Sequence, residues 1–216
     1  MLSLDLAGER LVLLPQRAAF VPAHRTLLIA DAHLGKAVSF RRLGVPVPEA
    51  TTAGTLARLD AALAASGAGR IVFLGDLLHS ARAHAAATLA SVRQWRERHA
   101  GLELLLVRGN HDRHAGDPPA DWGVTAVDEP LHLGGLTLKH HPDPEPGAYV
   151  LAGHVHPGIV LGGRAHDRLR LPCFHFGPTV GLLPAFGEFT GLHSVQAAPG
   201  DRVFVLAQGQ VLALPG

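Results

Sequence analysis

The 216-residue chain carries 19 basic and 18 acidic side chains and is 47% hydrophobic but only 17% charged. That balance supplies a sizeable core, excludes disorder, and excludes the strongly basic surface of a protein that coats nucleic acid. The single cysteine, Cys173, excludes a disulfide framework and a cysteine-based zinc knuckle, and it reads as a small core residue in a reducing cytosol.

The opening stretch MLSLDLAGERLVLLPQ carries acidic residues early and no unbroken apolar segment, so no signal peptide is expected. No apolar run approaches the ~20 residues that span a bilayer. A cytoplasmic protein without membrane attachment is expected, and residues 1–216 read as one domain because no linker divides them. Residues 26–30 (TLLIA) form a buried strand that ends at Asp31-Ala32-His33, followed by a Pro-flanked loop from Gly44 to Pro48. Leu56, Leu59 and Leu63 recur at helical spacing within Thr51–Ala65, and Gly67-Ala68-Gly69 stops that helix. A second strand, RIVFL (70–74), ends at Gly75-Asp76; a second helix covers Ala83–His99. A third strand, LELLLV (102–107), ends at Gly109-Asn110-His111-Asp112.

Alternating strand and helix imply an α/β protein with a parallel sheet, in which ligands bind beyond the carboxyl ends of the strands. All three polar clusters fall at such ends. The second half changes character: residues 124–127, 131–133, 136–139, 149–152, 170–174 and 202–206 are short strands between Gly and Pro turns. They suggest a second, more antiparallel sheet packed on the first.

The chain has 15 histidines, several directly after apolar runs, and histidine is the commonest protein metal ligand. Five clusters occur in order: Asp31-x-His33, Gly75-Asp76, Gly109-Asn110-His111-Asp112, His140-His141 and Gly153-His154-Val155-His156. In extended backbone, residues i and i+2 point the same way, so Asp31 with His33, and His154 with His156, could each present two ligands to one cavity. Carboxylate, imidazole and amide oxygen together suit Mn, Fe, Zn or Ni. Asp-x-His and Gly-Asp are weak alone, Gly-His-x-His is moderately specific, and Gly-Asn-His-Asp after a buried strand is sharper; the ordered set predicts a site for two cations.

The set resembles the calcineurin-like metallophosphoesterase superfamily, whose pattern is D-x-H, G-D, G-N-H-[DE], H and G-H-x-H. The resemblance implies a four-layer α/β/β/α sandwich of two packed mixed sheets flanked by helices. It further implies that Asp31, His33 and His156 hold a first divalent metal, that Asp76 bridges, and that Asn110, His154 and either His140 or His141 hold a second. His140 is the choice, since it directly follows a strand. Two such ions clamp a phosphoryl group and acidify a water. His111, next to Asn110, is expected to face the substrate as a catalytic group, with Asp112 either orienting it or capping a helix.

Gly75-Asp76-Leu77-Leu78-His79 resembles the nuclease branch, in which such a histidine lies near the scissile phosphate; His79 is therefore a further catalytic candidate. The segments Asp31–Pro48 and Leu183–Gly191 resemble the bacterial ligase-associated DNA damage response endonucleases, the PdeM-type phosphoesterases. That group implies Mn2+, DNA as substrate, and a DNA ligase, a helicase and an exonuclease as partners in repair. Lys36, Arg41 and Arg42 are then expected phosphate contacts. Two other readings are a phosphodiesterase or phosphatase for nucleotides and other small phosphoesters, and a non-catalytic scaffold with this fold.

Overall fold

The computed structural model describes residues 1–42, 44–45, 51–162 and 168–214, the side chain of Arg42 excepted. Most of the expected Pro-flanked loop, and the expected phosphate contact of Arg42, therefore lie outside the described residues. Alternating leucines in LSLDL and ERLVLL, joined by the two-residue turn Ala7-Gly8, form a hairpin of β1 (Leu2–Leu6) and β2 (Glu9–Leu14). Both turn residues have positive φ, as a two-residue hairpin turn requires. This hairpin continues through β3 (Ala18–Val21) to β4 (Thr26–Ile29) as an antiparallel meander. From β4 the sheet turns parallel through β5 (Arg70–Leu74), β6 (Glu103–Val107) and β7 (Val124–Val127).

Strand β7 corrects an expectation. Residues 124–127 belong to this first sheet, parallel to β6, because α4 (Asn110–Ala115) provides a crossover that returns the chain beside it. Helix α1 (Lys36–Arg42) and α2 (Thr51–Ser66) lie between β4 and β5. The helix expected over Ala83–His99 divides at extended Ala85 into a 3-10 turn, Ala81–His84, and α3 (Ala86–Arg98).

Among the described residues the second sheet has nine strands: β8 (Leu131–Leu133), β9 (Leu136–Leu138), β10 (Tyr149–Ala152), β11 (Pro157–Gly162), β12 (Arg168–Phe176), β13 (Val180–Leu182), β14 (His193–Ser194), β15 (Arg202–Ala207) and β16 (Gln210–Ala213). It is mixed: β9, β10 and β13 run parallel, while β11, β12, β15 and β16 pair antiparallel.

The two sheets pack face to face over a core that draws Leu11, Leu28, Val72 and Val107 from the first and Leu138, Leu151, Phe174 and Phe204 from the second. The first sheet's other face buries Ile29, Ile71, Phe73 and Leu104 against Leu59 of α2 and Trp95 of α3. Truncating any of these leucines costs about 2–5 kcal/mol. Two packed mixed sheets are thus as expected. All α-helices among the described residues fall between residues 36 and 115, on the first sheet's half of the chain. The second sheet's far side carries smaller clusters, one of which holds buried Cys173. No described helix is long and apolar enough to cross a membrane.

Candidate metal centre

The strand ends of both sheets meet at one seam. Just past β4, Ala30 bridges Ala185 from the second half of the chain. The loop after β4 then runs beside the loop after β5: Asp31 N–H donates to the Gly75 carbonyl, His33 N–H to Asp76 and Leu34 N–H to Leu77. Asp31, Asp76 and their neighbours are thereby fixed to one another by backbone. From the other sheet, the His154 N–H donates to Asp31 Oδ2 at 2.9 Å.

Asp31-x-His33 and His154-x-His156 do converge, but the expected extended backbone is corrected. Asp31, His33, Asp76, His154 and His156 all have positive φ, between 45° and 67°. Left-handed backbone at a residue with a Cβ costs roughly 1–2 kcal/mol, so surrounding contacts must impose it. Those contacts are the inter-loop hydrogen bonds above.

Two lobes of donor atoms result, and Asp76 belongs to both. On one side His33 Nε2 lies 3.3 Å from His156 Nε2 and 3.8 Å from Asp76 Oδ2, while His156 Nε2 lies 3.6 Å from Asp31 Oδ1. On the other, His140 Nε2 lies 2.9 Å from Asn110 Oδ1, 3.0 Å from His154 Nδ1 and 3.5 Å from Asp76 Oδ1. His140 Nδ1 donates to the Leu74 carbonyl at 3.0 Å, so in the neutral ring Nε2 presents a lone pair. Burial pushes the pKa of His140 down, which keeps the ring neutral. A lone pair facing an amide oxygen and a carboxylate is repulsive unless a cation lies between them. The donor set therefore fits two divalent metals.

Burial, reinforced by the Asp31 charge, pushes the Asp76 carboxyl up to about 6. Burial also lowers His33 and His154. Each shift is the response of an ionisable group kept from water.

His111 and His79 stand at the mouth. Their rings stack with centroids 5.0 Å apart, and each lies edge-on to His33. His111 N–H donates to Asp76 Oδ1, and its Nδ1 donates to the His79 carbonyl at 2.7 Å. Lys36 is half-buried, with Nζ 5.7 Å from the Phe40 ring centroid, and Phe40 lies 6.0 Å from the His79 ring. Arg41 is exposed on α1.

The nuclease MPE of Pseudomonas putida, solved by crystallography, is 46% identical to this chain over 99% of each, with a TM-score of 0.88. The chain belongs to the calcineurin-like metallophosphoesterases. A phosphoesterase from E. coli, Yfce, matches at 15% identity and a TM-score of 0.43, over 87% of this chain and 96% of that one. No protein-family model and no curated protein matches the chain.

Within this metallophosphoesterase, the contacts of Asp112 match the second of its two expected roles, the helix cap. Its carboxylate accepts from Leu78 N–H and Gly109 N–H, both at 3.0 Å, and makes no contact with the His111 ring. It caps α4 and ties that helix to the loop after β5; the His79 carbonyl orients His111 instead. Of the two adjacent histidines, His140 is the one turned inward. His141 Nδ1 donates to Glu129 Oε1 at 2.8 Å. Glu129 Oε2 also accepts the backbone N–H of His140 and of His141.

Sequence reasoning passed over Glu129, and over Arg17 and Arg58, which bind the carbonyls of Ala185, Phe186 and Gly187. The only local signal for Glu129 was a carboxylate before a proline. The arginine contacts span more than 120 residues and leave no pattern to read.

Proposed function

We propose that this chain is a two-cation phosphodiesterase that cleaves DNA. The observation that carries the proposal is the pair of donor lobes sharing Asp76. Asp31, His33 and His156 would hold one ion, Asn110, His140 and His154 the other, and Asp76 both; oxygen and imidazole donors without thiolate suit Mn, Fe, Zn or Ni, and the resemblance to the PdeM-type group favours Mn2+. When bound, such ions polarise phosphoryl oxygens and lower the pKa of a coordinated water.

The chain's own residues supply the rest. His111 carries a proton on Nδ1, held by the His79 carbonyl, so its other nitrogen is free to accept a proton or, when charged, to give one to a leaving oxygen. Burial and the Lys36 charge push the His79 pKa down to about 4, so this ring meets substrate neutral, as a hydrogen-bonding partner. Lys36, desolvated but facing the charges of Asp31 and Asp76, is suited to a phosphate oxygen. Arg41, exposed one turn further along the same helix, is suited to a more distant phosphate. DNA is favoured by the likeness to a nuclease, and a repair role beside a ligase, helicase and exonuclease by the resemblance of the loops around the pocket.

A small phosphodiester is the competing substrate, and the net charge of +1 favours it. Turnover of single-stranded DNA, nicked DNA, a small phosphodiester and a phosphomonoester, each with manganese, separates the two. DNA cleavage is expected, with Asp76→Asn reducing it by more than ~100-fold, beyond the range for loss of a partner behind a ligand. His111→Ala should lower turnover while two ions still bind. Full activity in Asp76→Asn would end the two-cation reading; cleavage of the small phosphodiester with DNA untouched would end the DNA reading.

A further inference from the structure

We infer that Phe189 is a stacking platform for a nucleobase beside the scissile phosphate, an inference that rests on the DNA reading above. Phe189 lies at the crest of a loop whose two ends are fastened to the metal centre. At its start, Phe186 N–H donates to the Ala30 carbonyl at 2.8 Å and Gly187 N–H to the Asp31 carbonyl at 3.0 Å. At its end, His156 Nδ1 donates to the Gly191 carbonyl at 3.2 Å, and His193 N–H donates to the His156 carbonyl at 2.9 Å. The loop's two ends therefore sit beside Asp31 and His156, residues of one donor lobe, and Phe189 lies two residues from each end, Gly187 and Gly191.

The loop's base is rigid. Arg17 binds the carbonyls of Ala185 and Gly187, and Arg58 binds the Phe186 carbonyl and, at 3.3 Å, the Glu188 carboxylate. Gly187 is pressed so closely on the β4 segment that a Cβ there would lie 2.4 Å from the Ala32 carbonyl oxygen. Thr190 Oγ1 closes the crest by donating to the Gly187 carbonyl at 3.1 Å.

On this braced loop Phe189 is 57% exposed and has φ 57°. Leaving a phenyl ring in water and its backbone in the left-handed region both work against folding. Among the described residues, it is the one aromatic in the set of exposed large hydrophobic side chains. A ring presented at that cost beside a phosphodiester site suits a flat apolar partner, and a DNA strand carries one on each sugar. Stacking contributes about 1–3 kcal/mol per base and tolerates any sequence. It also explains how a chain of net charge +1 could hold DNA without a basic coat.

The test uses the manganese-loaded full chain and two single-stranded oligonucleotides, one intact and one with abasic sugars around the cleavable linkage. Phe189→Ala should raise KM for the intact strand about 10-fold and for the abasic strand less than about 2-fold, while Phe189→Trp restores the intact-strand KM. Leu212→Ala, which removes another exposed apolar side chain, controls for general surface effects and should change neither KM. Equal effects of Phe189→Ala on the two strands, or no effect on either, would overturn the platform and leave the DNA reading intact. A wild-type chain that turns over a small phosphodiester but neither oligonucleotide would overturn both.

Discussion

The two sheets furnish the pocket unequally. Segments that follow β4, β5 and β6 bring the carboxylates Asp31 and Asp76, the amide of Asn110 and one imidazole, His33; segments that follow β9 and β10 bring imidazoles alone, His140, His154 and His156. Burial acts on the two contributions in opposite directions. It pushes Asp76 up to about 6, against its charge, and pushes His140 and His154 down, towards neutral lone pairs. Neither contribution is favourable by itself: one is a concentration of negative charge, the other a set of lone pairs facing oxygens. A divalent cation relieves both at once. The proposed cations would thus complete the seam between the sheets, alongside its apolar core.

Bringing the two contributions out of register should have the largest effect. Gly75 has φ +79°, and a Cβ on it would lie 2.0 Å from His140 Nδ1. Gly75→Ala must therefore shift either the Asp76 loop or the His140 ring. Phosphodiester turnover is expected to fall by at least ~100-fold, at or beyond the top of the range for losing a partner behind a ligand. Calorimetric titration with manganese should show one of two sites weakened. Wild-type rate and stoichiometry in Gly75→Ala would mean that close packing of the two loops is not what sets the pocket.

A second variant isolates the carboxylate contribution. Because the folded pKa of Asp76 is raised, the metal-free fold holds that proton more tightly than the unfolded chain does. This contribution to stability is complete below the ordinary aspartate pKa and is lost as pH rises through about 6. In chelator at pH 7.5, Asp76→Asn should therefore stabilise the fold by about 3 kcal/mol, from a shift of roughly two units, and the gain should vanish near pH 3.5. The imidazoles run the other way: with pKa values lowered, their contribution is present above the ordinary histidine value and is lost as pH falls. Urea unfolding at the two pH values measures the difference. A destabilised Asp76→Asn at pH 7.5 without metal would contradict the claim that this charge is held against its preference.

The part of this comparison that lies in the first sheet could be read from the sequence. TLLIA, RIVFL and LELLLV are continuous apolar runs that end in polar residues, and a buried parallel strand has no other pattern. The N-terminal hairpin carries an equally clear alternation in LSLDL, but no polar cluster marks its end. The second sheet was harder because its order, β14-β11-β12-β13-β10-β9-β8, follows pairings between distant segments. The candidate donor residues were legible because metals demand particular side chains. Their presentation was not: positive φ at Asp31, Asp76 and His154 depends on hydrogen bonds made across the seam, and nothing local marks an aspartate or histidine for that conformation. Glu129 was invisible for the same reason, since its role exists only once the His140-His141 turn is folded over it.

The smallest expected effect sharpens the boundary of the pocket. Arg108 directly precedes Gly109-Asn110, so by sequence it lies two residues from a proposed metal ligand. Its guanidinium instead grips Asp117 at 2.7 and 2.8 Å and lies 3.6 Å from Asp128, with both carboxylates exposed. Asp128 and Glu129 are consecutive acids with separate duties: one faces surface arginines, the other the turn that carries His140. Water screens the surface pairs, so Arg108→Ala should cost no more than about 1 kcal/mol of stability and leave kcat and KM for phosphodiesters unchanged. A KM change above tenfold would show that pulling on Asp128 moves Glu129, and that the pocket extends through that acidic pair to the surface.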